Sequence, residues 1–196
     1  QFINPIIDQV TREVHDVDQA TEQVFGRSAE RILTAFLPLY RRSGGQDGFV
    51  TVQGDPRKDE DTDYIVNEAL RYRQRGANVM AKIPSHEAGI AAIAALVERD
   101  VPICATEIFG VDQAIAVCDA YNRAVARSGY RPALFVTHIT GIFDKYLTDY
   151  VKREGIDISP EVLSQAGWAV AHEEYRVMKT RSLPGIMLGG GALANY

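Results

Sequence analysis

The chain has 196 residues, of which 46% are hydrophobic and 24% charged, and its formal net charge is -5. These values are typical of one globular domain with a substantial core. The acidic balance argues against nucleic acid as the main partner, because phosphate binding requires a concentrated basic face. No apolar run reaches the roughly 20 residues that a membrane helix needs. The two cysteines, Cys104 and Cys118, stand too far apart to indicate a disulfide framework or a metal cluster. We therefore expect a cytoplasmic protein.

Short apolar patterns alternate along the chain with longer amphipathic ones. Helices are predicted over 18–41, 61–75, 85–98, 111–128, 143–154 and 160–179. Strands are predicted over 49–53, 78–83, 101–109, 133–139 and 185–188, with a further short strand at 2–4. Thr62 and Ser85 are placed to cap the second and third helices, and Pro160 is placed to open the last one.

This alternation predicts parallel strands joined by right-handed crossovers. Two architectures fit it: a TIM-type (β/α) barrel and an open doubly wound sheet. A closed barrel usually takes about 250 residues. We therefore expect residues 1–196 to form a single α/β barrel domain that is incomplete at both ends, without the first strand and the last β/α units.

In parallel α/β proteins the chemistry gathers at the carboxyl ends of the strands. The predicted strand ends are Asn4, Gln53, Lys82, Thr106 and His138. Lys82 ends the apolar run VMAKI, and Pro84 then turns the chain. Such a lysine often only extends its amine to solvent. In a partly apolar mouth it can instead act as a nucleophile toward a carbonyl group.

Other polar residues have weaker individual patterns. Gln53 and Thr106 are each typical of a polar rim, but together with Lys82 they could hold one water molecule between an amide and a hydroxyl group. The four histidines lack HxH or HxxxH spacing, which disfavours a metal site. Gly190 and Gly191 belong to a triple glycine that could bind an anion through backbone N–H groups.

Three segments resemble the transaldolase family, including its fructose-6-phosphate aldolase branch. The stretch GFVTVQGDPRKDEDTDYIVNEALRYRQRGANVMAKIPSHEAGIAAIAAL contains a strand that ends in Gln before DPR, and a KIP unit that opens a helix. The segment VPICATEIFGVDQAIAVCDAY is similar to the next unit of the family, and INPII resembles the end of its TTNPxI motif. The resemblance extends over about residues 3–191.

The resemblance implies a metal-independent class I aldolase or dihydroxyacetone transferase that acts on a ketose without a cofactor. It assigns the Schiff base to Lys82, the ordering of a catalytic water to Thr106, and substrate hydroxyls to Asn4. Gln53 occupies the position where the family has Glu or Gln. The expected partner is a small-molecule sugar, with no nucleic acid and no membrane, and a homo-oligomer is left open.

The sequence also departs from the family pattern. The acid/base Asp of the first strand has no counterpart. Ile142 replaces the Arg of a VGR motif, and Ala192 and Ala194 replace the Ser and Arg of ASFRN. Because these replacements remove anion-binding groups, we expect a substrate other than a standard sugar phosphate. The alternatives are a catalytically degenerate homologue that binds sugars or regulates, or a flavodoxin-like ligand-binding domain if the sheet is open.

Overall fold

The computed structural model describes residues 3–190 apart from the side chain of Asp144. The strands are β1 (Val50–Gln53), β2 (Val79–Pro84), β3 (Ile103–Ile108), β4 (Leu134–Ile139) and β5 (Ile186–Gly190). The helices are α1 (Asn4–Glu13), α2 (Val17–Arg42), α3 (Thr62–Arg73), α4 (Glu87–Val97), α5 (Val111–Ser128), α6 (Gly141–Glu154), α7 (Pro160–Leu163) and α8 (Ala166–Thr180). None of the helices in the described part is both long and apolar enough to cross a membrane.

The start of the chain differs from the prediction. Asn4 is the first residue of α1 and does not end a strand. Pro5 explains the difference, because its fixed φ suits the first turn of a helix and it has no N–H to donate to a sheet. Of the predicted strand at 2–4, residue 2 lies outside the described residues.

Two predicted helix caps were displaced by one residue. The side chain of Asp61, and not that of Thr62, accepts the Tyr64 N–H at the start of α3. His86, and not Ser85, caps α4 by accepting the Gly89 N–H. Both Asp61 and His86 have the extended backbone of a capping residue. The predicted helix 160–179 is interrupted between α7 and α8.

All five strands are parallel, and they lie in the sheet in chain order, from β1 to β5. A doubly wound sheet requires the strand order to reverse at a switch point. The uninterrupted order, with a helix after each of the first four strands, is that of an arc of a (β/α) barrel. The predicted barrel-type fold is therefore confirmed, and the open doubly wound sheet is not observed.

The two faces of the sheet have different surroundings. Along β4, Leu134, Val136 and His138 are buried, whereas Phe135, Thr137 and Ile139 are only half-buried. The buried face packs under the helices in one large apolar core, which includes Ala81, Ile83, Ile103, Ala105, Ile93, Leu96, Val117 and Tyr121. The other face corresponds to the inside of the barrel, and its residues at the strand ends are free for chemistry.

A close approach of α4 to β2 fixes the end of the strand that carries Lys82. A Cβ atom added at Gly89, in the first turn of α4, would lie 1.8 Å from the Pro84 carbonyl oxygen. That atom belongs to the backbone, so it cannot rotate away. Only glycine allows α4 to begin this close to β2.

We expect Gly89→Ala to destabilise the fold by about 1–3 kcal/mol, because the new methyl group must push α4 away from β2. Urea unfolding of the purified variant measures the change. Gly110→Ser is the control: Gly110 has an extended φ of -152°, and an added Cβ there meets no described atom within 4 Å. Its free energy of unfolding should stay within about 0.5 kcal/mol of the parent value. Equal effects of the two substitutions would contradict this account.

Candidate active site

Three neighbouring strands place one row of residues on the inner face of the sheet. Gln53 of β1 is the register partner of Lys82 of β2, and Lys82 is the partner of Cys104 of β3. Register partners in parallel strands point to the same side of the sheet. Lys82 and Gln53 are half-buried, whereas Cys104 is buried. The predicted pair Gln53 and Lys82 is thus side by side at the carboxyl ends of its strands.

Thr106 lies one layer further toward the mouth. It is the register partner of Pro84, two residues beyond Lys82, and is 2% exposed. By strand alternation it shares the inner face with Cys104. The backbone carbonyl of Thr106 accepts the Ser85 N–H at 2.9 Å, which extends the pairing of β2 and β3 beyond the strands. Gln53, Lys82 and Thr106 therefore belong to one mouth.

The surroundings of Lys82 leave its amine without a fixed anionic partner. Within the described side chains, no salt bridge joins Lys82 to a carboxylate. Its neighbour Cys104 has a sulfur 3.4 Å from the Thr137 hydroxyl oxygen. Burial raises the pKa of the Cys104 thiol, although the Thr137 hydrogen bond and the charge of Lys82 act in the opposite direction. Lys82 therefore lies beside a buried, weakly polar thiol and is not paired with a described carboxylate.

Glu107 is a residue of the mouth that the sequence pattern did not reveal. The pairing of β3 with β4 is irregular between Ala105 and Ile108, and Glu107 has a left-handed φ of 59°. Such a bulge redirects a side chain. The carboxylate of Glu107 accepts a hydrogen bond of 3.3 Å from Nε2 of Gln53. The only sequence feature that could have indicated it is a charged residue inside the apolar run ICATEI.

Gln113 was also missed, and it ties together the loops that leave β2 and β3. Its side-chain Oε1 accepts the Phe109 N–H at 2.9 Å. Its Nε2 donates to the carbonyl oxygens of Ser85 at 3.1 Å and Glu107 at 3.3 Å. The amide of Gln113 therefore links the segment after Lys82 to the segment that contains Glu107.

His138 does not contribute to the mouth, although it was among the predicted strand ends. Its side chain lies on the helix face and is fully buried. Nδ1 of His138 lies 3.0 Å from Oε2 of the equally buried Glu174 in α8, and its ring stacks on Phe143. This pair joins the sheet to its helical layer and has a structural role.

The remaining predicted residues lie on other elements or outside the described residues. Asn4 is exposed on α1, a helix that packs against α2. Gly190 ends β5, and its carbonyl oxygen accepts the Thr140 N–H at 2.8 Å. Ile142 is 46% exposed in the first turn of α6, directly after β4. Gly191, Ala192 and Ala194 lie outside the described residues.

The DPR segment after β1 is held by charge pairs and a buried carboxyl group. Arg57 donates to both carboxylate oxygens of Asp55, and these bonds lower the pKa of Asp55 to about 2. The Arg57 guanidinium also donates to Asp18 at 2.8 Å. The Asp55 N–H donates to Oε2 of Glu68 at 3.0 Å. Burial raises the pKa of Glu68, an effect that the Asp55 hydrogen bond partly offsets. These contacts fix the loop that begins at Gln53.

Comparison with known proteins shows which family the sequence is similar to. The model of the family described as transaldolase/fructose-6-phosphate aldolase matches residues 1–187. The transaldolase of Thiobacillus denitrificans is 31% identical over 121 residues, which cover 61% of this chain and 34% of that protein. Transaldolase 1 of Streptomyces avermitilis is 32% identical over 171 residues, which cover 81% of this chain and 44% of that protein. The transaldolase of Mycobacterium ulcerans is 33% identical over 108 residues, covering 54% of this chain and 29% of that protein. The matched parts are thus less than half of the length of these relatives.

The structural role of the His138–Glu174 pair can be measured. We expect Glu174→Leu to cost about 3 kcal/mol of unfolding free energy, because it leaves a buried imidazole without its partner. His138→Phe combined with Glu174→Leu should cost less than Glu174→Leu alone, since no orphaned polar group remains. Urea unfolding curves of the single and double variants test this expectation. A double variant that is at least as unstable as Glu174→Leu would count against it.

Proposed function

Because this chain belongs to the transaldolase/fructose-6-phosphate aldolase family, we propose that it acts as a class I aldolase or dihydroxyacetone transferase through a Schiff base on Lys82. One observation carries the proposal. Lys82 stands between Gln53 and the strand of Thr106 on the same face of three neighbouring parallel strands. The proposal is supported because the amine, the amide and the hydroxyl group all belong to the carboxyl ends of neighbouring strands, which is where the active sites of such folds lie.

The first step is the formation of a carbon–nitrogen bond. The amine of Lys82 attacks the ketone carbon of the substrate, and the carbonyl oxygen takes one proton from the amine nitrogen and one from solvent and leaves as water, which gives an iminium ion. Lys82 is half-buried, and no described carboxylate forms a salt bridge with it, so its amine is available to a ketone entering the mouth. The iminium nitrogen then withdraws electrons from the neighbouring carbon atoms.

The second step is cleavage of a carbon–carbon bond. The bond that breaks joins the α carbon, which is bonded to the iminium carbon, to the β carbon beyond it. The electron pair of that bond moves toward the iminium nitrogen and leaves an enamine on Lys82, while the hydroxyl of the departing fragment loses its proton and becomes an aldehyde. A water molecule held by Gln53 and Thr106 is placed to receive this proton. An aldolase then protonates and hydrolyses the enamine, whereas a transferase passes it to an acceptor aldehyde.

Substrate charge is a further part of the proposal. Ile142 follows β4 at the mouth end of the sheet, where the resemblance expects an arginine for the substrate phosphate. An apolar side chain cannot compensate a dianion, and losing a charged partner of a bound anion typically costs about 2–5 kcal/mol. We therefore propose a neutral donor, which is either a ketose that is cleaved as above or dihydroxyacetone, whose iminium ion gives the enamine by losing a proton from the carbon next to the iminium carbon.

Borohydride trapping tests the nucleophile. Incubation with dihydroxyacetone and borohydride should reduce the iminium ion to a stable secondary amine and add the mass of the three-carbon fragment to the peptide that contains Lys82. Lys82→Met should abolish this adduct, whereas Lys58→Met, which removes another lysine at the exposed turn after β1, should retain it. An adduct on another lysine, with Lys82 unmodified, would refute the assignment.

The substrate preference is tested by kinetics on both donor types. We expect kcat/KM for dihydroxyacetone or a neutral ketose to equal or exceed that for fructose 6-phosphate. Ile142→Arg should shift this ratio about tenfold toward the phosphate ester, because it restores one cation near the site. Val162→Arg, which adds the same charge at an exposed position of α7, should leave the ratio unchanged. A strong preference of the parent protein for the phosphate ester would defeat the proposal on substrate charge.

A sugar-binding or regulatory homologue is the alternative function. It would bind a ketose without forming the Lys82 adduct, so the trapping experiment separates it from the enzyme.

A further inference from the structure

The hydrogen bond between Gln53 and Glu107 crosses the end of the strand that carries Lys82. Gln53 lies at the end of β1 and Glu107 at the end of β3, and β2 runs between these two strands. The bond therefore spans β2, the strand that carries Lys82, from one neighbouring strand to the other.

We propose that Glu107 is a positioning residue that fixes the side-chain amide of Gln53 in one orientation for the Lys82 reaction. The inference rests on the function proposed above and assigns to Glu107 a role that acts through Gln53. The carboxylate of Glu107 holds the NH2 end of the amide, and the carbonyl oxygen of Gln53 then stays available to accept a hydrogen bond from a water molecule.

The chemistry of the two groups sets the direction of the bond. An ionised carboxylate has only acceptors, whereas an amide has a donor end and an acceptor end. Gln53 can donate a hydrogen bond to Glu107 only through Nε2. In the structure Nε2 of Gln53 lies 3.3 Å from Oε1 of Glu107. Without this partner the amide could rotate by half a turn and present its NH2 group to the water. The water would then lose an acceptor for one of its protons.

The backbone conformation at Glu107 directs its carboxylate toward Gln53. Regular alternation would direct Glu107 to the side opposite its neighbour Thr106. Instead, the irregular pairing of β3 and the left-handed backbone at Glu107 turn the carboxylate toward Gln53. Non-glycine residues adopt this conformation only where the surroundings impose it. Here the Glu107 carbonyl oxygen is held by Nε2 of Gln113.

The first experiment separates turnover from Schiff-base formation. In Glu107→Ala, kcat should fall about tenfold or more with the tested donor, because a misplaced catalytic group can cost about 10²-fold. The yield of the borohydride adduct at Lys82 should remain close to that of the parent protein, since Lys82 itself is unchanged. Asp112→Ala removes a nearby exposed carboxylate in the first turn of α5 and should leave kcat unchanged.

The second experiment exchanges the two side chains. Gln53→Glu alone puts a second carboxylate beside that of Glu107, and the two repel each other. This substitution should lower kcat about as much as Glu107→Ala does. Gln53→Glu combined with Glu107→Gln restores a carboxylate–amide hydrogen bond with its polarity reversed, and it still presents an acceptor at position 53. The exchanged pair should therefore recover most of the activity that Gln53→Glu loses. A purely structural role for Glu107 predicts no such recovery at unchanged stability, which urea unfolding of each variant checks.

The outcomes distinguish the two proposals. A Lys82 adduct in the parent protein, with kcat unchanged in Glu107→Ala or with no recovery in the exchanged pair, overturns the role of Glu107 and leaves the Schiff-base function in place. No Lys82 adduct in the parent protein overturns the proposed function and the role of Glu107 with it.

Discussion

The mouth of the sheet depends on the side-chain amide of Gln113. Its three hydrogen bonds reach Phe109, Ser85 and Glu107 and use both the donor and the acceptor end of the amide. Ser85 follows the strand of Lys82, and Glu107 follows Thr106. One side chain on α5 therefore sets the distance between the loop after β2 and the segment that contains Glu107. Since a hydrogen bond left unmade at a partly buried site costs about 1–3 kcal/mol, the loops have a strong preference for this one arrangement.

Stability and chemistry are assigned to opposite faces of the same strands. The helix face carries residues such as Ala81, Ile83 and Val136, which are almost fully buried in the apolar core. His138 is a polar exception on that face, and it is matched by Glu174. The inner face carries the row from Gln53 through Lys82, so substitutions there change the mouth with little effect on the packing under the helices. This division allows the strand ends to hold polar groups that would be costly in a core.

The sequence predicted the fold and the central residues better than it predicted the local backbone. Lys82 and Gln53 could be located because apolar strands have clear ends and because parallel strands end on one edge. His138 lies near the end of β4 as predicted, but the run ALFVTHI is apolar on both faces and gives no sign that this side chain points to the helices. Glu107 was not recognised as part of the mouth, because a bulge and a left-handed residue cannot be inferred from hydrophobic periodicity. The roles of Asn4 and Gly190 in substrate binding remain predictions.

Glu107 and Lys82 pose an electrostatic problem that Gln53 resolves. A carboxylate and an amine on neighbouring strand ends attract each other, and an ion pair between them would occupy the amine that we propose as the nucleophile. In the described structure the Glu107 carboxylate instead accepts from Gln53, and no salt bridge reaches Lys82 from the described side chains. A left-handed residue costs about 1–3 kcal/mol, a large share of the 5–15 kcal/mol that keeps a domain folded. The role that we propose for Glu107 accounts for such a cost, because the redirected carboxylate binds Gln53 and forms no salt bridge with Lys82 among the described side chains.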